Sequence, residues 1–200
     1  MPTVILSAAR TPIGSFGGSL SSIPAPQLGA TAIKAALERA GVAPENVEEV
    51  IIGNVLTAGV GQSPARQAAL GAGIPNSVPT LTIGKVCGSG MKAVMLADQV
   101  IRAGDANLVV AGGQESMSLA PFLLPNGRYG YKFGDGKIID SMQYDGLTDA
   151  YDNVAMGVAA DACAVACNIV RNDKMRSQSK ATAAPRHRSP KADSKKRSPR

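Results

Sequence analysis

Gly84-Lys85-Val86-Cys87-Gly88-Ser89-Gly90-Met91-Lys92-Ala93-Val94 is the stretch that decides how this 200-residue chain is read. An extended run, Thr80–Ile83, precedes it, and apolar helical periodicity follows it through Ala103. That order places a thiol at the mouth of a helix, with glycines beside it that let an acyl group approach. Unpaired N–H groups and the positive end of the helix dipole favour a thiolate there. A thiolate is the nucleophile that acyl transfer needs. A buried small residue in a strand-to-helix turn would look the same, because free cysteine often only packs. On the chemistry alone the two readings stand level.

Working outward, short apolar runs at Val4–Ser7, Glu49–Gly53, Thr80–Ile83 and Leu108–Ala111 are bounded by turn residues, as buried strands are. Helical patterns fill the gaps at Leu28–Ala40, Ala65–Ala72 and Ser89–Ala103, ending near Gly41, Gly71 and Gly104. Strands alternating with helices predict an α/β sheet layered with helices. From Pro121 to Thr148 the periodicity fades into Gly, Tyr, Lys and Asp, and a loop of that length inside a domain is usually functional. Asp152–Val165 reads as a further helix.

Several separate segments together resemble the thiolase family. Ala8-Ala9-Arg10-Thr11-Pro12-Ile13-Gly14-Ser15-Phe16 is similar to its first strand and turn. Gly53-Asn54-Val55-Leu56 with Gly61-Gln62-Ser63-Pro64-Ala65-Arg66-Gln67-Ala68-Ala69 is similar to its second strand and helix. The Cys87 segment resembles the acyl-accepting cysteine motif, and Ala111-Gly112-Gly113-Gln114-Glu115-Ser116-Met117-Ser118 the glycine-rich strand end. Asp145-Gly146-Leu147-Thr148-Asp149 with Met156-Gly157 resembles the start of the coenzyme A loop domain. One glycine-rich piece is weak evidence; five in the family's order are specific.

The resemblance implies the N-terminal half of a thiolase-like α/β fold. Residues 1–120 would form the domain carrying the nucleophilic cysteine, and residues 121–173 the start of the loop domain. It also implies acyl transfer between coenzyme A thioesters, joining two acetyl-CoA into acetoacetyl-CoA and CoA or the reverse, through an acyl-cysteine. Cys87 would accept the acyl group, and its backbone N–H would serve the oxyanion hole. Leu147 and Met156 match positions that line the family's pantetheine pocket. Ala155 stands where many bacterial members have His, which weakens any assignment of acyl preference. The implied partners are acetyl-CoA, acetoacetyl-CoA and further copies of the same chain, as dimer or tetramer. No cofactor beyond the thioester substrates is implied.

The charge of the chain is lopsided. It carries 21 Lys+Arg against 15 Asp+Glu, but residues 171–200 hold 11 basic and 2 acidic groups. Those residues have no aromatic side chain, and a segment so poor in apolar groups is expected to be disordered. A basic arm for nucleic acid is one explanation. A frameshift is the preferred one, because the thiolase resemblance stops between Asp173 and Lys174. Lys174–Thr182 can be written AAG ATG CGT TCG CAA TCC AAA GCT ACA. From the third base this string reads Asp-Ala-Phe-Ala-Ile-Gln-Ser-Tyr, which is what a thiolase has next. The family's activating His and second Cys belong to its second half. The one histidine here, His187, lies in the aberrant tail, so turnover by this chain alone is not expected.

Other residues have plainer readings. Cys163 and Cys167, spaced i,i+4, share a helix face, where packing outweighs a metal site that nothing completes. Three cysteines argue against a disulfide framework. Arg66, Lys85 and Lys92 could hold phosphate, but a solvated face or an ion pair is the favoured reading. Asp98 and Asp105 read as surface, and Glu115 as a structural hydrogen-bonding group. No signal-like segment or membrane-length apolar run is seen. A cytoplasmic protein with neither membrane nor nucleic-acid partner is expected.

Overall fold

A computed structural model describes residues 2–173, 175 and 176. The tail expected to be frameshifted, His187 included, lies outside these described residues except for residues 175 and 176. The chain divides into two compact units between Thr148 and Asp149. Residues 121–148, which the sequence reading gave to the loop domain, belong to the first.

The first unit is built on a parallel three-stranded sheet: β1 (Glu49–Gly53), β2 (Thr80–Ile83) and β3 (Val109–Gly113), in the order β2-β1-β3. Ile51 aligns with Leu81 on one side and Ala111 on the other. Helix α2 (Pro64–Gly71) joins β1 to β2, and α3 (Ser89–Ala103) joins β2 to β3. The two crossovers run in opposite directions along the sheet. Right-handed connections therefore place α2 and α3 on opposite faces. Helix α1 (Ala25–Ala40) packs beside α2.

Strand alternation then sorts the core. Val50 and Ile52 point to the α1/α2 side and bury against Ile33, Leu37, Ala65, Ala68, Ala69 and Ile74. Ile51 points the other way and is also buried; α3, which turns Ala93 and Ala97 inward, packs on β1 and β3. Helices α1 and α3 stop where expected, at Gly41 and Gly104. Both take left-handed backbone (φ 65° and 85°), which glycine adopts without steric cost. Helix α2 keeps Gly71 inside its last turn, because a Cβ there would lie 3.0 Å from Ala30 Cβ of α1.

The expected strand at Val4–Ser7 is a correction. Among the described residues the segment pairs with no strand, and Val4, Ile5 and Leu6 are exposed. Its residue types suit a strand, but a strand also needs a ladder partner. The presumed loop from 121 to 148 holds more structure than its composition suggests. Strands β4 (Phe122–Leu123) and β5 (Ile139–Asp140) pair antiparallel, and α4 (Ser141–Gly146) follows. The Asp140 carboxylate caps α4 by accepting from Met142 N at 2.9 Å.

In the second unit, α5 runs from Met156 to Ala166, starting later than the expected Asp152. The Asp149 carboxylate accepts from Tyr151 N and Asp152 N at 3.0 and 2.7 Å, and Asn153 is left-handed (φ 54°). That local turn holds the chain out of the helix until Ala155.

Candidate active site

The carboxyl ends of parallel strands are where α/β sheets gather their chemistry, and here that edge holds the Cys87 turn. After β2 ends at Ile83, the chain passes through Gly84–Gly88 and enters α3. Gly88 N–H donates to Lys85 O at 3.0 Å, and Ser89 N–H donates to Val86 O at 3.1 Å. These bonds make a tight elbow with Cys87 at its tip, exposed to solvent. Among the described residues Cys87 is therefore not part of the packed core.

Two features of the elbow were not legible in the sequence. Val86 is left-handed, with φ 45°, a conformation that strains a β-branched residue. Ser89, only 3% exposed, lies directly beneath it. Its hydroxyl accepts from Lys85 N–H and donates to Val86 O, both at 2.7 Å. No composition or periodicity signal marks the strained valine; the Cys-Gly-Ser order was the only available hint of the serine.

Close backbone approach seats this elbow on the sheet. A Cβ on Gly53, the last residue of β1, would lie 2.5 Å from Ser89 C and 2.7 Å from Gly90 N. A Cβ on Gly113, the last residue of β3, would lie 3.2 Å from Gly90 Cα. The glycines thus let the first turn of α3 rest on the strand ends.

Beyond the strands, Glu115 ties the same edge together. Its carboxylate accepts from Val55 N at 2.8 Å, Asn54 Nδ2 at 2.9 Å and Leu56 N at 3.3 Å. Burial raises its pKa above the ordinary 4.5, against the opposing pull of those hydrogen bonds. Buried Gln114 donates to Asn54 Oδ1 and to Pro64 O, linking β3 to the start of α2. Glu115 therefore has the structural role expected of it.

The remaining candidates sort as follows. Leu147 caps the end of α4 and is partly exposed; Met156 opens α5 in the second unit, also exposed. Ala155 precedes it as the N-cap residue. Arg66 is committed to Asn76 O and Val78 O, so the phosphate reading fails for it. Asp98 pairs with Arg102 at 3.7 Å on the surface, and Asp105 is exposed. Cys163 and Cys167, expected to pack, are exposed instead, because α5 buries only Ala164. Among the described residues no cluster of three or more His, Cys, Asp or Glu could hold a metal ion. Among them, too, no helix is long and apolar enough to cross a membrane.

The carboxyl edge of the parallel sheet thus presents a cysteine on a glycine-seated elbow. Residues 3–192 match the family model for the thiolase N-terminal domain, and the chain belongs to the thiolase family. The match runs past Asp173, where the resemblance read from the sequence ended. The chain is 60% identical over 185 residues to an acetyl-CoA acetyltransferase of Cupriavidus necator, covering 90% of this chain and 47% of that protein. It is 56% identical over 160 residues to the acetyl-CoA acetyltransferase of Schizosaccharomyces pombe, covering 80% and 40%. With acetyl-CoA acetyltransferase 2 of Arabidopsis thaliana it shares 55% identity over 170 residues, covering 85% and 42%. The chain spans about half the length of the curated relatives it matches.

Proposed function

We propose that this chain carries the acyl-accepting part of an acetyl-CoA acetyltransferase, with Cys87 as nucleophile. The Cys87 thiolate attacks the thioester carbonyl of acetyl-CoA, and the Cys87 N–H donates to the oxyanion that forms. Collapse of that intermediate breaks the carbon–sulfur bond to coenzyme A. Acetyl-Cys87 remains, and coenzyme A leaves as a thiolate that takes up a proton. Condensation would then need a base to deprotonate the methyl of a second acetyl-CoA, giving acetoacetyl-CoA and freeing Cys87. No described residue is assigned that proton, so the chain is proposed to complete the first half-reaction and not the cycle. Leu147 and Met156 are proposed pantetheine contacts. The thioesters are the only small molecules this chemistry requires, and the working form is proposed to be a homo-oligomer in the cytoplasm.

The single observation that carries this reading is the exposed Cys87 on a strained elbow at the carboxyl edge of the sheet. Incubation with acetyl-CoA, followed by peptide mass mapping, tests it. The expected result is an acetyl adduct confined to the Cys87 peptide, with one coenzyme A released per adduct. An unmodified Cys87 peptide in protein whose Cys87 still reacts with iodoacetamide refutes it. Salt-sensitive nucleic-acid binding lost on deleting residues 171–200 would instead favour a module with a basic arm.

A further inference from the structure

We infer that Ser89 is a positioning residue for Cys87: its hydroxyl fixes the Val86–Cys87 peptide and so aims the Cys87 N–H and thiol. This rests on the acyl-accepting role proposed for Cys87. The Ser89 side chain clasps the elbow on both sides of the strained residue. It accepts from the Lys85 N–H and donates to Val86 O, each at 2.7 Å. Val86 O belongs to the same peptide plane as the Cys87 N–H. No peptide bond among the described residues is cis, so those two groups point in opposite directions. Drawing Val86 O down toward the buried Ser89 hydroxyl turns the Cys87 N–H the other way, out of the turn.

The clasp also opposes a conformational preference. Val86 at φ 45° is a β-branched residue in left-handed backbone, which relaxes unless its surroundings hold it. Ser89 can act as the holder because it is itself buried and tethered. It is 3% exposed, its N–H also bonds Val86 O, and the bare Cα face of Gly53 abuts its backbone. Freed of the clasp, the Val86–Cys87 peptide can rotate, carrying the N–H away from any oxyanion and the thiol off the helix mouth.

The test compares Ser89→Ala, Val86→Gly and the double variant in the full chain. Glycine takes left-handed backbone without strain, so it replaces the need for the clasp but not any packing that Ser89 supplies. The readout is the iodoacetamide alkylation rate of the Cys87 peptide, with Cys163 and Cys167 in the same digest as internal standards. Circular dichroism checks the fold. S89A should slow Cys87 about three- to tenfold, roughly what losing one or two net hydrogen bonds produces, and leave the other cysteines unchanged. V86G should stay within about twofold of wild type, and the double variant should return to that level. A Cys87 rate unaffected by S89A, or a double variant as slow as S89A, overturns the inference. If S89A alone does not fold, the double variant decides: near-wild-type reactivity supports the clasp, and an unfolded or slow protein refutes it. Acetyl transfer from acetyl-CoA is scored separately. Alkylation that follows this pattern without any acetyl-Cys87 would leave the positioning role standing and sink the proposed function.

Discussion

Substituting Gly53 by alanine puts a methyl group where the elbow rests on the sheet. The added Cβ would lie 2.5 Å from Ser89 C and 2.7 Å from both Gly90 N and Ser89 Cβ. The atoms in the way are mostly backbone, so no side chain can swing aside. Restoring an ordinary contact of 3.4 Å from 2.5 Å requires the first turn of α3 to retreat by about 0.9 Å. Overpacking of this kind costs about 1–3 kcal/mol. At roughly 3 °C per kcal/mol for a chain of this size, Tm should fall by about 3–9 °C. The same retreat displaces Cys87, and misplacement by an ångström can cost on the order of a hundredfold in a positioned reaction. Gly112→Ala is the matched control: it sits one residue earlier on β3, and its Cβ would meet nothing within 4 Å. Thermal denaturation and Cys87 alkylation should therefore be run on both variants. If Gly53→Ala melts with Gly112→Ala and alkylates at the wild-type rate, the close-approach argument is wrong.

Other substitutions test the framework around the site. Gly29→Ala would set a Cβ 2.0 Å from Gln114 Oε1, forcing that buried amide off Asn54 and Pro64; a loss of about 1–3 kcal/mol is expected in urea denaturation. Arg66→Leu removes the donors to Asn76 O and Val78 O while keeping an apolar stem, and a loss of about 1–3 kcal/mol is again expected, with coenzyme A binding unchanged by calorimetry. Asp98→Ala should shift stability by less than about 0.5 kcal/mol, since its pair with Arg102 is exposed. Glu115 predicts a pH dependence. Its folded pKa is raised, so the stability it contributes is complete below about 4.5, the unfolded value, and is lost as pH rises through the folded value. The stability of wild type relative to Glu115→Gln should accordingly decline as pH rises above 4.5; a relative stability that climbs over that interval would contradict the direction of the shift.

What the sequence disclosed, it disclosed through periodicity and order. Glu49–Gly53 and Thr80–Ile83 carry the apolar runs of a covered parallel sheet, and both strands fall where the runs do. Helix ends at Gly41 and Gly104 were legible because only a few residues accept left-handed backbone cheaply. Val4–Ser7 shows the limit of such a signal, since residue type cannot report whether a pairing partner is present. β4 and β5 escaped notice for the opposite reason: two-residue strands are too short to show a period. At the site, Cys87 stood out through its neighbours, whereas the left-handed Val86 has no marker in residue type. Strain is imposed by surroundings, so it becomes visible only when Ser89 and Gly53 are placed around it.

The distribution of burial explains why the elbow can tolerate that strain. The α1/α2 side of the sheet holds the dense core, with Val50, Ala65 and Ala68 wholly inaccessible. This packing fixes β1, and β1 in turn fixes Gly53, Asn54 and the backbone groups that Glu115 gathers. The α3 side is different. Ala93 and Ala97 are buried, but Met91, Val94 and Met95 remain exposed on the outer face of the helix. The first turn of α3 is therefore held to the sheet by short-range backbone approach at Gly53 and Gly113, and by the Ser89 clasp, more than by bulk apolar burial. Contacts of that kind are few and directional. They bear directly on the placement of Cys87, yet contribute little area to offset a single misplaced methyl group. Sensitivity to small substitutions should then concentrate at residues 53, 89 and 113, while the outer positions of the same helix tolerate change. Met95→Ala supplies the contrast: with its side chain about half exposed, it should leave the Cys87 alkylation rate within about twofold of wild type, a difference that mass mapping resolves.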